Sequence, residues 1–278
     1  ISRIKILSKM DITEKRIPQD GSLKIKISER DIDIRVSSIP THYGEKLVLR
    51  ILQATNIIHI DNIGLSEKNL KTLKKNISKP QGIILVTGPT GSGKSSTLYA
   101  CINEINTPEK NIVTVEDPIE FDISGFNQVQ INNKIGVTFA NTLRSFLRQD
   151  PNVIMVGEIR DAETAEIAFN AAMTGHLVLS TLHTNNAIAS ITRLIDLGIP
   201  PFLISSSLLL IIAQRLVRKS CPSCLKEYTP NQTLIKQMGI ENLKIVFKKG
   251  IGCDNCRHSG FKGRIGIFEL LEINENIQ

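Results

Sequence analysis

The residues best suited to chemistry form the run GPTGSGKS at residues 88–95, which has the spacing G-x-x-x-x-G-K-S. An apolar run at residues 82–87 precedes it and a helical pattern from Ser95 to Glu104 follows, which is the context of a phosphate-binding loop. The glycines let successive backbone N–H groups point at a triphosphate beside a helix N-terminus. Lys94 would reach the β- and γ-phosphates, and the Ser95 hydroxyl would hold Mg²⁺. The predicted nucleotide-binding residues of the loop are Gly88, Pro89, Thr90, Gly91, Ser92, Gly93, Lys94, Ser95 and Ser96.

Three further apolar stretches follow the loop and alternate with helical patterns. They cover residues 111–116, 152–156 and 176–182. Strands that alternate with helices predict a parallel sheet covered on both faces. In such sheets ligands bind at the carboxyl ends of the strands, so the side chains that follow each strand are the next candidates.

Acidic side chains follow the first two of these strands. Glu116, Asp117 and Glu120 form an acidic cluster that is either functional or incidental. Glu158 follows the second strand, where phosphate-loop enzymes place a carboxylate beside Mg²⁺ or the attacking water. Asp161 has the same potential role, or it caps the helix that begins there.

Histidines flank the third strand, and two arginines lie in the helix before the second. Either His176 or His183 could contact a γ-phosphate, or both are structural. Arg144 and Arg148 are spaced i, i+4 in the predicted helix at residues 139–149 and share one helix face. We expect these arginines to be surface charge or a subunit contact.

Four of the five cysteines form two C-x-x-C pairs, Cys221 with Cys224 and Cys253 with Cys256. Each pair can supply two thiolates to one tetrahedral Zn²⁺, and four thiolates predict a closed, structural site. Disulfides are the alternative, which a reducing compartment disfavours. Cys101, in the helix after the phosphate loop, is predicted to be a small buried apolar residue.

The sequence pattern of the first 55 residues predicts a small antiparallel sheet with one solvated face. Apolar and polar residues alternate over residues 23–27, 32–36 and 47–51, with glycine and proline between the runs. The polar positions include Arg35 and Arg50, which are either surface charge or functional. A linker-like stretch and a helix that begins at Ser66 then lead to the strand before the loop.

The formal net charge of +7 is unevenly distributed over the 278 residues. Residues 1–80 and 214–278 are basic, whereas residues 81–213 are acidic. With few aromatic residues, this pattern favours ordinary solvated lysines over a nucleic-acid surface. The longest apolar run, Phe202 to Ala213, is shorter than the ~20 residues of a membrane helix and predicts a buried helix. We expect a soluble, intracellular protein and, since the first residue is Ile1 rather than Met, a longer natural chain.

Four motifs, in this order, resemble those of the secretion ATPases that power bacterial type II secretion and type IV pilus assembly. GPTGSGKSS, TVEDPIEF, LRQDPNVIMVGEIRDAETA and GHLVLSTLHTN match the phosphate loop, acidic box, second nucleotide motif and histidine box of that family. PFLISSSLL, IAQRLVR, the C-x-x-C pairs and GFKGRIGIFELL extend the similarity over nearly the whole chain. They resemble the type II secretion and pilus-extension members, since the pilus-retraction members lack the cysteine arm.

The resemblance implies an α/β fold with a RecA-like phosphate-loop ATPase core, a small N-terminal β-rich (PAS-like) domain and a zinc-binding tetracysteine arm. The implied divisions are 1–55 for the C-terminal part of the β-rich domain, 56–65 for a linker, 66–215 for the core, 216–263 for the arm and 264–278 for a C-terminal segment that packs on the core.

The resemblance also implies a ring-shaped hexamer that clamps ATP between the β-rich domain and the core. DIDIRVS and KLVLRIL match the segments whose arginines reach the phosphates, so Arg35 and Arg50 become expected phosphate ligands. Glu120 is expected to orient or activate the water, Glu158 to hold Mg²⁺ directly or through water, and His183 to contact the γ-phosphate. The implied cofactors are ATP, Mg²⁺ and Zn²⁺.

We therefore predict a cytoplasmic ATPase, peripherally associated with the inner membrane, that drives type II secretion by hydrolysing ATP to ADP and phosphate. Its partners would be further copies of itself and inner-membrane secretion or pilus-assembly proteins, recruited through an N-terminal domain beyond this sequence. The alternatives are a pilus-extension ATPase, a nucleic-acid motor with a zinc ribbon and a scaffold that binds ATP without hydrolysing it. The acidic core argues against nucleic acid, and the intact Lys94, Glu120 and Glu158 argue against the scaffold.

Overall fold

The computed structural model describes residues 1–27, 30–52, 58–240, 245–274 and 277. The chain forms two compact units. Unit 1 comprises Ile1–Ile57 with Glu120–Ile123, and unit 2 comprises Ile58–Ile119 with Ser124–Gln278. Part of the predicted linker at 56–65 lies outside the described residues, and the five-part domain division stays a prediction.

Unit 1 contains the predicted antiparallel sheet. Its elements are a short helix α1 (Ser2–Leu7) and the strands β1 (Gln19–Ile27), β2 (Arg30–Thr41) and β3 (Gly44–Leu52), with β2 in the centre. The alternating pattern sets the register, since Leu23 lies opposite Ile34 and Ile34 lies opposite Ile51. Leu23 and Ile34 are buried with Val36 and Met10, so one face of the sheet forms a small core. Helix α1 was not predicted.

Unit 2 is built on a seven-stranded sheet with the order β12-β9-β4-β8-β7-β5-β6. The strands of unit 2 are β4 (Gly82–Thr87), β5 (Ile112–Glu116), β6 (Phe126–Gln130), β7 (Val153–Val156), β8 (Leu177–Leu182), β9 (Leu208–Ser220), β10 (Leu225–Glu227), β11 (Lys248–Gly250) and β12 (Phe261–Glu272). Neighbours in the sheet are parallel except β9 and β12, and β10 pairs separately with β11. Strands β4, β5, β7 and β8 are buried along their whole length, which confirms the predicted parallel sheet covered on both faces.

Helices connect the strands, and polar side chains cap several of them. The helices of unit 2 are α2 (Glu67–Ile77), α3 (Lys94–Glu104), α4 (Phe139–Phe146), α5 (Ala162–Met173), α6 (Ala187–Asp196), α7 (Pro201–Ser207) and α8 (Gln232–Gln237). Ser66 caps α2 through its hydroxyl, as predicted. Asp161 caps α5 by accepting from the Thr164 N–H at 2.8 Å, so of its two possible roles the structure supports capping. None of the described helices is both long and apolar enough to cross a membrane.

The prediction of a single buried helix from Phe202 to Ala213 is wrong. Helix α7 ends at Ser207, and the chain continues from Leu208 as β9, between β4 and β12 in the sheet. A strand that is covered on both faces reads as a continuous apolar run, and periodicity cannot distinguish such a run from a buried helix. Pairing with β4 decides between the two. The predicted division between residues 215 and 216 falls inside this strand.

Candidate nucleotide-binding site and cysteine cluster

Four neighbouring strands of unit 2 end at the same edge of the sheet. Strands β4, β8, β7 and β5 are adjacent and parallel, so their carboxyl ends lie side by side at about 4.8 Å spacing. The phosphate loop follows β4, His183 follows β8, Glu158 follows β7 after one glycine, and Glu116 ends β5 with Asp117 next. The strand order therefore brings four of the predicted motifs to the edge where sheets of this kind bind ligands.

The backbone of the phosphate loop bends at its glycines. Gly88, Gly91 and Gly93 have φ angles of 145°, 79° and 89°, which other residues adopt only with strain. Gly93 caps α3, so the N–H groups of the first helical turn point out of the helix end. The Lys94 ammonium folds back over the loop and donates to the carbonyls of Gly88 (2.9 Å) and Pro89 (3.4 Å). The loop thus has both the curvature and the cation that a phosphate group requires.

Hydroxyl groups connect the end of β4 to the segment that follows β8. Thr87 Oγ1 lies 3.1 Å from the Leu182 carbonyl and 2.6 Å from the Thr184 hydroxyl, and it accepts from the Thr184 N–H at 3.0 Å. Thr184 Oγ1 lies in turn 2.6 Å from Ser190 Oγ on α6. These contacts fix the segment that carries His183 relative to the start of the phosphate loop.

Glu158 contacts side chains from its own segment and from the end of β8. Only 14% of its side chain is exposed, it accepts a hydrogen bond from Arg160, and its Oε2 lies 3.4 Å from Nε2 of His183. The hydrogen bond to Glu158 raises the pKa of Arg160, and the negative charge of Asp117 acts in the same direction. Residues that follow β5 and β7 therefore interact electrostatically, and Glu158 also contacts the residue that follows β8. The predicted roles of Glu158 with Mg²⁺ and of His183 with phosphate stay predictions.

Glu116 is not a solvent-facing member of the acidic cluster. It is 4% exposed, and it accepts hydrogen bonds from the Tyr99 hydroxyl, from Thr114 Oγ1 (2.6 Å) and from Gln128 Nε2 (3.0 Å). Three donors satisfy a carboxylate that would otherwise be costly to bury. Glu116 therefore joins α3, β5 and β6, whereas Asp117 remains exposed. Sequence reasoning missed its partners, because hydrogen bonds from Tyr99 and Gln128 depend on how α3 and β6 pack beside β5 and leave no local pattern.

Two other sets of predicted residues have partners other than the phosphate loop, Glu158 and His183. His176 precedes β8, at the end opposite His183, and its Nδ1 lies 2.9 Å from the Ala171 carbonyl. Arg144 pairs with Glu163 at 2.6 Å between α4 and α5. Helix α4 ends before Arg148, whose guanidinium hydrogen-bonds the Arg144 carbonyl at 3.0 Å, so the two arginines do not share the face of one continuous helix.

Three of the expected phosphate-site residues belong to unit 1. Arg35 on β2 lies directly opposite Arg50 on β3, so the two arginines share one face of the sheet. Glu120 is exposed and clusters with unit 1. The phosphate loop belongs to unit 2, and the convergence of Arg35, Arg50 and Glu120 on the loop stays a prediction.

The two C-x-x-C pairs form one cluster. The Sγ atoms of Cys221, Cys224, Cys253 and Cys256 all lie within 4.8 Å of one another. Sulfur–sulfur distances of 3.9 Å (Cys221–Cys253), 3.9 Å (Cys224–Cys256) and 3.7 Å (Cys253–Cys256) exclude disulfide bonds here. A tetrahedral zinc ion with Zn–S bonds of about 2.3 Å has sulfur–sulfur edges of about 3.8 Å. The cluster therefore fits the predicted Zn²⁺ by geometry and by donor type.

The surroundings of the sulfur atoms also suit a bound cation. The Gly252 N–H donates to Cys224 Sγ and the Gly260 N–H to Cys256 Sγ, each at 3.3 Å. Burial raises the pKa of Cys256, but the N–H groups of Cys253 and Gly260 and the neighbouring thiols bring that pKa down to about 6, whereas burial raises the pKa of the neighbouring Cys224 to about 11. Cys101, by contrast, is fully buried, and burial raises its pKa to about 12. The predicted burial of Cys101 is confirmed, and a thiol buried in this way is unreactive.

Comparison with known proteins shows sequence similarity over the whole chain. The family described as "Type II/IV secretion system protein" matches residues 1–278. This chain belongs to that family. The type II secretion system protein E of Dickeya dadantii is 52% identical over 279 residues, and the type II secretion system ATPase E of Vibrio cholerae serotype O1 is 51% identical over 281 residues. Both alignments include 100% of this chain and 56% of the relative, so the chain spans little more than half the length of these proteins.

Members of the Type II/IV secretion system protein family from pilus systems are also similar. The type IV pilus assembly ATPase PilB of Thermus thermophilus is 48% identical over 282 residues, which are 100% of this chain and 32% of PilB. A crystal structure of the pilus retraction motor PilT with bound ADP superposes with a TM-score of 0.68 at 32% identity, over 93% of this chain and 65% of PilT. The predicted family and the α/β fold with a central parallel sheet are confirmed, while the PAS-like character of unit 1 stays a prediction.

Proposed function

We propose that this chain is the ATP-hydrolysing part of a type II secretion motor. The observation that carries the proposal is the shared strand edge, where the phosphate loop, His183, Glu158 and Asp117 follow the ends of adjacent parallel strands. High identity to a relative named an ATPase and similarity to an ADP-bound motor support ATP as the substrate. The reaction would be hydrolysis of ATP to ADP and phosphate.

The residues of this edge would bind and orient the triphosphate. The loop N–H groups and the N-terminus of α3 would hold the phosphates, and Lys94 would exchange the carbonyls of Gly88 and Pro89 for phosphate oxygens. Ser95 and Glu158 would hold Mg²⁺, which would neutralise phosphate charge when bound. His183, in contact with Glu158, would meet the γ-phosphate. Rate acceleration would then come from positioning and electrostatic stabilisation.

Residues of unit 1 would complete the site. Arg35 and Arg50 lie directly opposite one another on β2 and β3, in the two segments that match the family's phosphate-contacting arginines. We propose that both arginines reach the phosphates and that Glu120 orients or activates the water, within one subunit or across a contact in a homo-hexameric ring. Hydrolysis would shift unit 1 against unit 2, and the ring would pass that motion to membrane partners.

The cysteine cluster would hold a structural Zn²⁺. Four thiolates leave no open coordination position for a substrate, and the sulfur–sulfur distances match a closed tetrahedral site. We assign this ion no part in hydrolysis. It would instead hold residues 221–240 and 245–256 in a fixed shape.

The partners and the location follow from the same proposal. We propose a cytoplasmic hexamer held at the inner membrane by proteins of the secretion assembly. The identity to PilB favours one alternative, a pilus-extension ATPase with the same chemistry. The inner-membrane protein that co-purifies with the full-length protein separates the two: a secretion component supports the main proposal, and a pilus-assembly component supports the alternative.

Replacing Lys94 tests the proposed reaction. In the full-length protein, Lys94→Ala should lower phosphate release from ATP by about 100-fold or more, because it removes the cation expected at the β- and γ-phosphates. The matched control is Lys68→Ala, at an exposed position on α2, which should leave turnover unchanged. Wild-type turnover in Lys94→Ala would refute the ATPase assignment. Nucleotide binding without any phosphate release in the wild type would favour the scaffold, and DNA-stimulated, salt-sensitive turnover would favour the nucleic-acid motor.

A further inference from the structure

A buried glutamine on β9 lies against the phosphate loop. Gln214 is 5% exposed, in a strand that is otherwise apolar up to that point. Ala213 pairs with Thr87 at the end of β4, so Gln214 lies level with Gly88, where the loop begins. A buried amide is retained only where hydrogen bonds compensate for its lost hydration, so its partners show what the side chain does.

The side chain of Gln214 binds the helix that follows the loop. Its Oε1 accepts a hydrogen bond of 2.7 Å from Oγ1 of Thr97, which is itself buried in the first turn of α3. This bond joins residues 117 positions apart in the chain. It attaches the start of α3, where phosphates would bind, to the strand beside β4.

The loop also packs directly on Gln214 at both of its ends. A Cβ atom added at Gly88 would overlap the Gln214 carbonyl oxygen. A Cβ added at Gly93 would lie 2.9 Å from Gln214 Nε2 and 3.3 Å from Leu216 Cδ1. Two glycines of the phosphate loop are therefore required by this contact as well as by their φ angles.

We propose that Gln214 is a positioning residue that holds the phosphate loop in its binding geometry before nucleotide arrives. The proposal rests on the proposed nucleotide site, which Gln214 serves through Thr97 and the loop backbone rather than by touching phosphate. A loop that is already curled loses less conformational entropy when its N–H groups bind phosphate. Removal of the amide leaves the loop sequence intact and releases the start of α3 from β9.

The direct test is Gln214→Leu, which keeps the approximate size of the side chain and removes its hydrogen bonds. Backbone amides of residues 88–97 in the nucleotide-free protein should exchange with solvent about five- to ten-fold faster, the loss expected for one net hydrogen bond. The dissociation constant of a fluorescent ADP analogue should rise by a similar factor. The matched control is Gln237→Leu, at an exposed position of α8, which should change neither value. Unchanged exchange and unchanged affinity in Gln214→Leu would overturn the proposal.

Substitutions of Thr97 test the same hydrogen bond to Gln214 by changing its donor. Thr97→Val should reproduce the effect of Gln214→Leu, the double variant should add little to either single one, and Thr97→Ser should retain wild-type affinity because it keeps the hydroxyl. These variants decide the question if Gln214→Leu does not fold. If Gln214 only stabilised the fold, its replacement would lower the fraction of active protein, and therefore the apparent kcat, and would leave KM unchanged. If Gln214 positions the loop, its replacement raises KM in fully folded protein.

The inference and the proposed function fail in different ways. If Lys94→Ala weakens nucleotide binding and the Gln214 and Thr97 variants do not, only the inference is wrong. If Lys94→Ala has no effect, the proposed function is wrong, and the exchange rates of residues 88–97 still show whether Gln214 holds the loop.

Discussion

Lys5 in unit 1 is a charged residue with almost no contact with solvent. It is 1% exposed, its ammonium forms an ion pair with Glu45, and it donates to the Glu14 carbonyl at 2.8 Å. The hydrogen bond from Lys5 lowers the pKa of Glu45 below its ordinary value of 4.5, while burial acts in the opposite direction. Removing Lys5 would therefore leave the Glu45 carboxylate without its ion-pair partner.

This pair predicts a pH-dependent effect of one substitution. Because the pKa of Glu45 is lower in the folded state, its contribution to stability is complete above the unfolded value and is lost as pH falls through the folded value. Lys5→Met should therefore destabilise β1, β2 and β3 at pH 7, and its difference from wild type should shrink as the pH falls below 4.5. Hydrogen exchange of peptides from β2 and β3, corrected for intrinsic rates, measures this. Lys26→Met, at an exposed position of β1, is the control, and a difference independent of pH would contradict the explanation.

At the scale of elements, short strands and turns shape the cysteine cluster. Strand β11 ends at Gly250, which is buried against Gly260, just before β12. A Cβ atom at Gly250 would overlap the Gly260 backbone. The Gly260 N–H donates to Cys256 Sγ, so this backbone contact and the sulfur cluster depend on each other.

Gly250→Ala should consequently impair metal binding. The added methyl group must separate β11 from Gly260, which displaces a hydrogen-bond donor to the cluster and enlarges the sulfur–sulfur distances. Zinc content per chain, measured by atomic emission after purification in reductant, should fall well below that of the wild type. Lys248→Ala on the same strand changes only an exposed side chain and should retain full zinc content. Equal zinc content in the two variants would show that the close contact is unimportant.

At the scale of the whole molecule, β9 runs from the phosphate loop to the cysteine cluster. Gln214 lies beside the loop and Cys221 directly follows the strand, so about 23 Å of extended chain separates the two sites. Each site has its own hydrogen bonds. We therefore expect them to be largely independent.

Chelation of zinc tests this independence. A chelator should increase hydrogen exchange and proteolysis in residues 221–240 and 245–256, because four ligands no longer share one ion. The dissociation constant for ATP, measured in the same sample, should change little. Loss of nucleotide binding on chelation would show coupling along β9, and absence of metal from carefully reduced protein would refute the zinc assignment.

The sequence by itself determined the features that depend on local pattern. The phosphate loop needs fixed spacing within residues 88–95, the zinc ligands need two C-x-x-C pairs, and alternating residues predict β1, β2 and β3. The buried strands β4, β5, β7 and β8 were also predicted, since apolar runs between helical patterns are typical of a parallel sheet. Family resemblance added the expected roles of Arg35, Arg50 and Glu120, which stay predictions.

Only the tertiary structure decided features that depend on pairing between distant segments. Strand order placed His183 beside Glu158, and pairing with β4 made residues 208–213 part of a strand where a helix was predicted. Buried Glu116 accepts a hydrogen bond from Tyr99, and Gln214 accepts one from Thr97. Each of these bonds likewise joins two separate elements of the fold. The order of strands in the sheet determines which segments become neighbours and so which side chains can form such hydrogen bonds. A short stretch of sequence does not reveal the strand order.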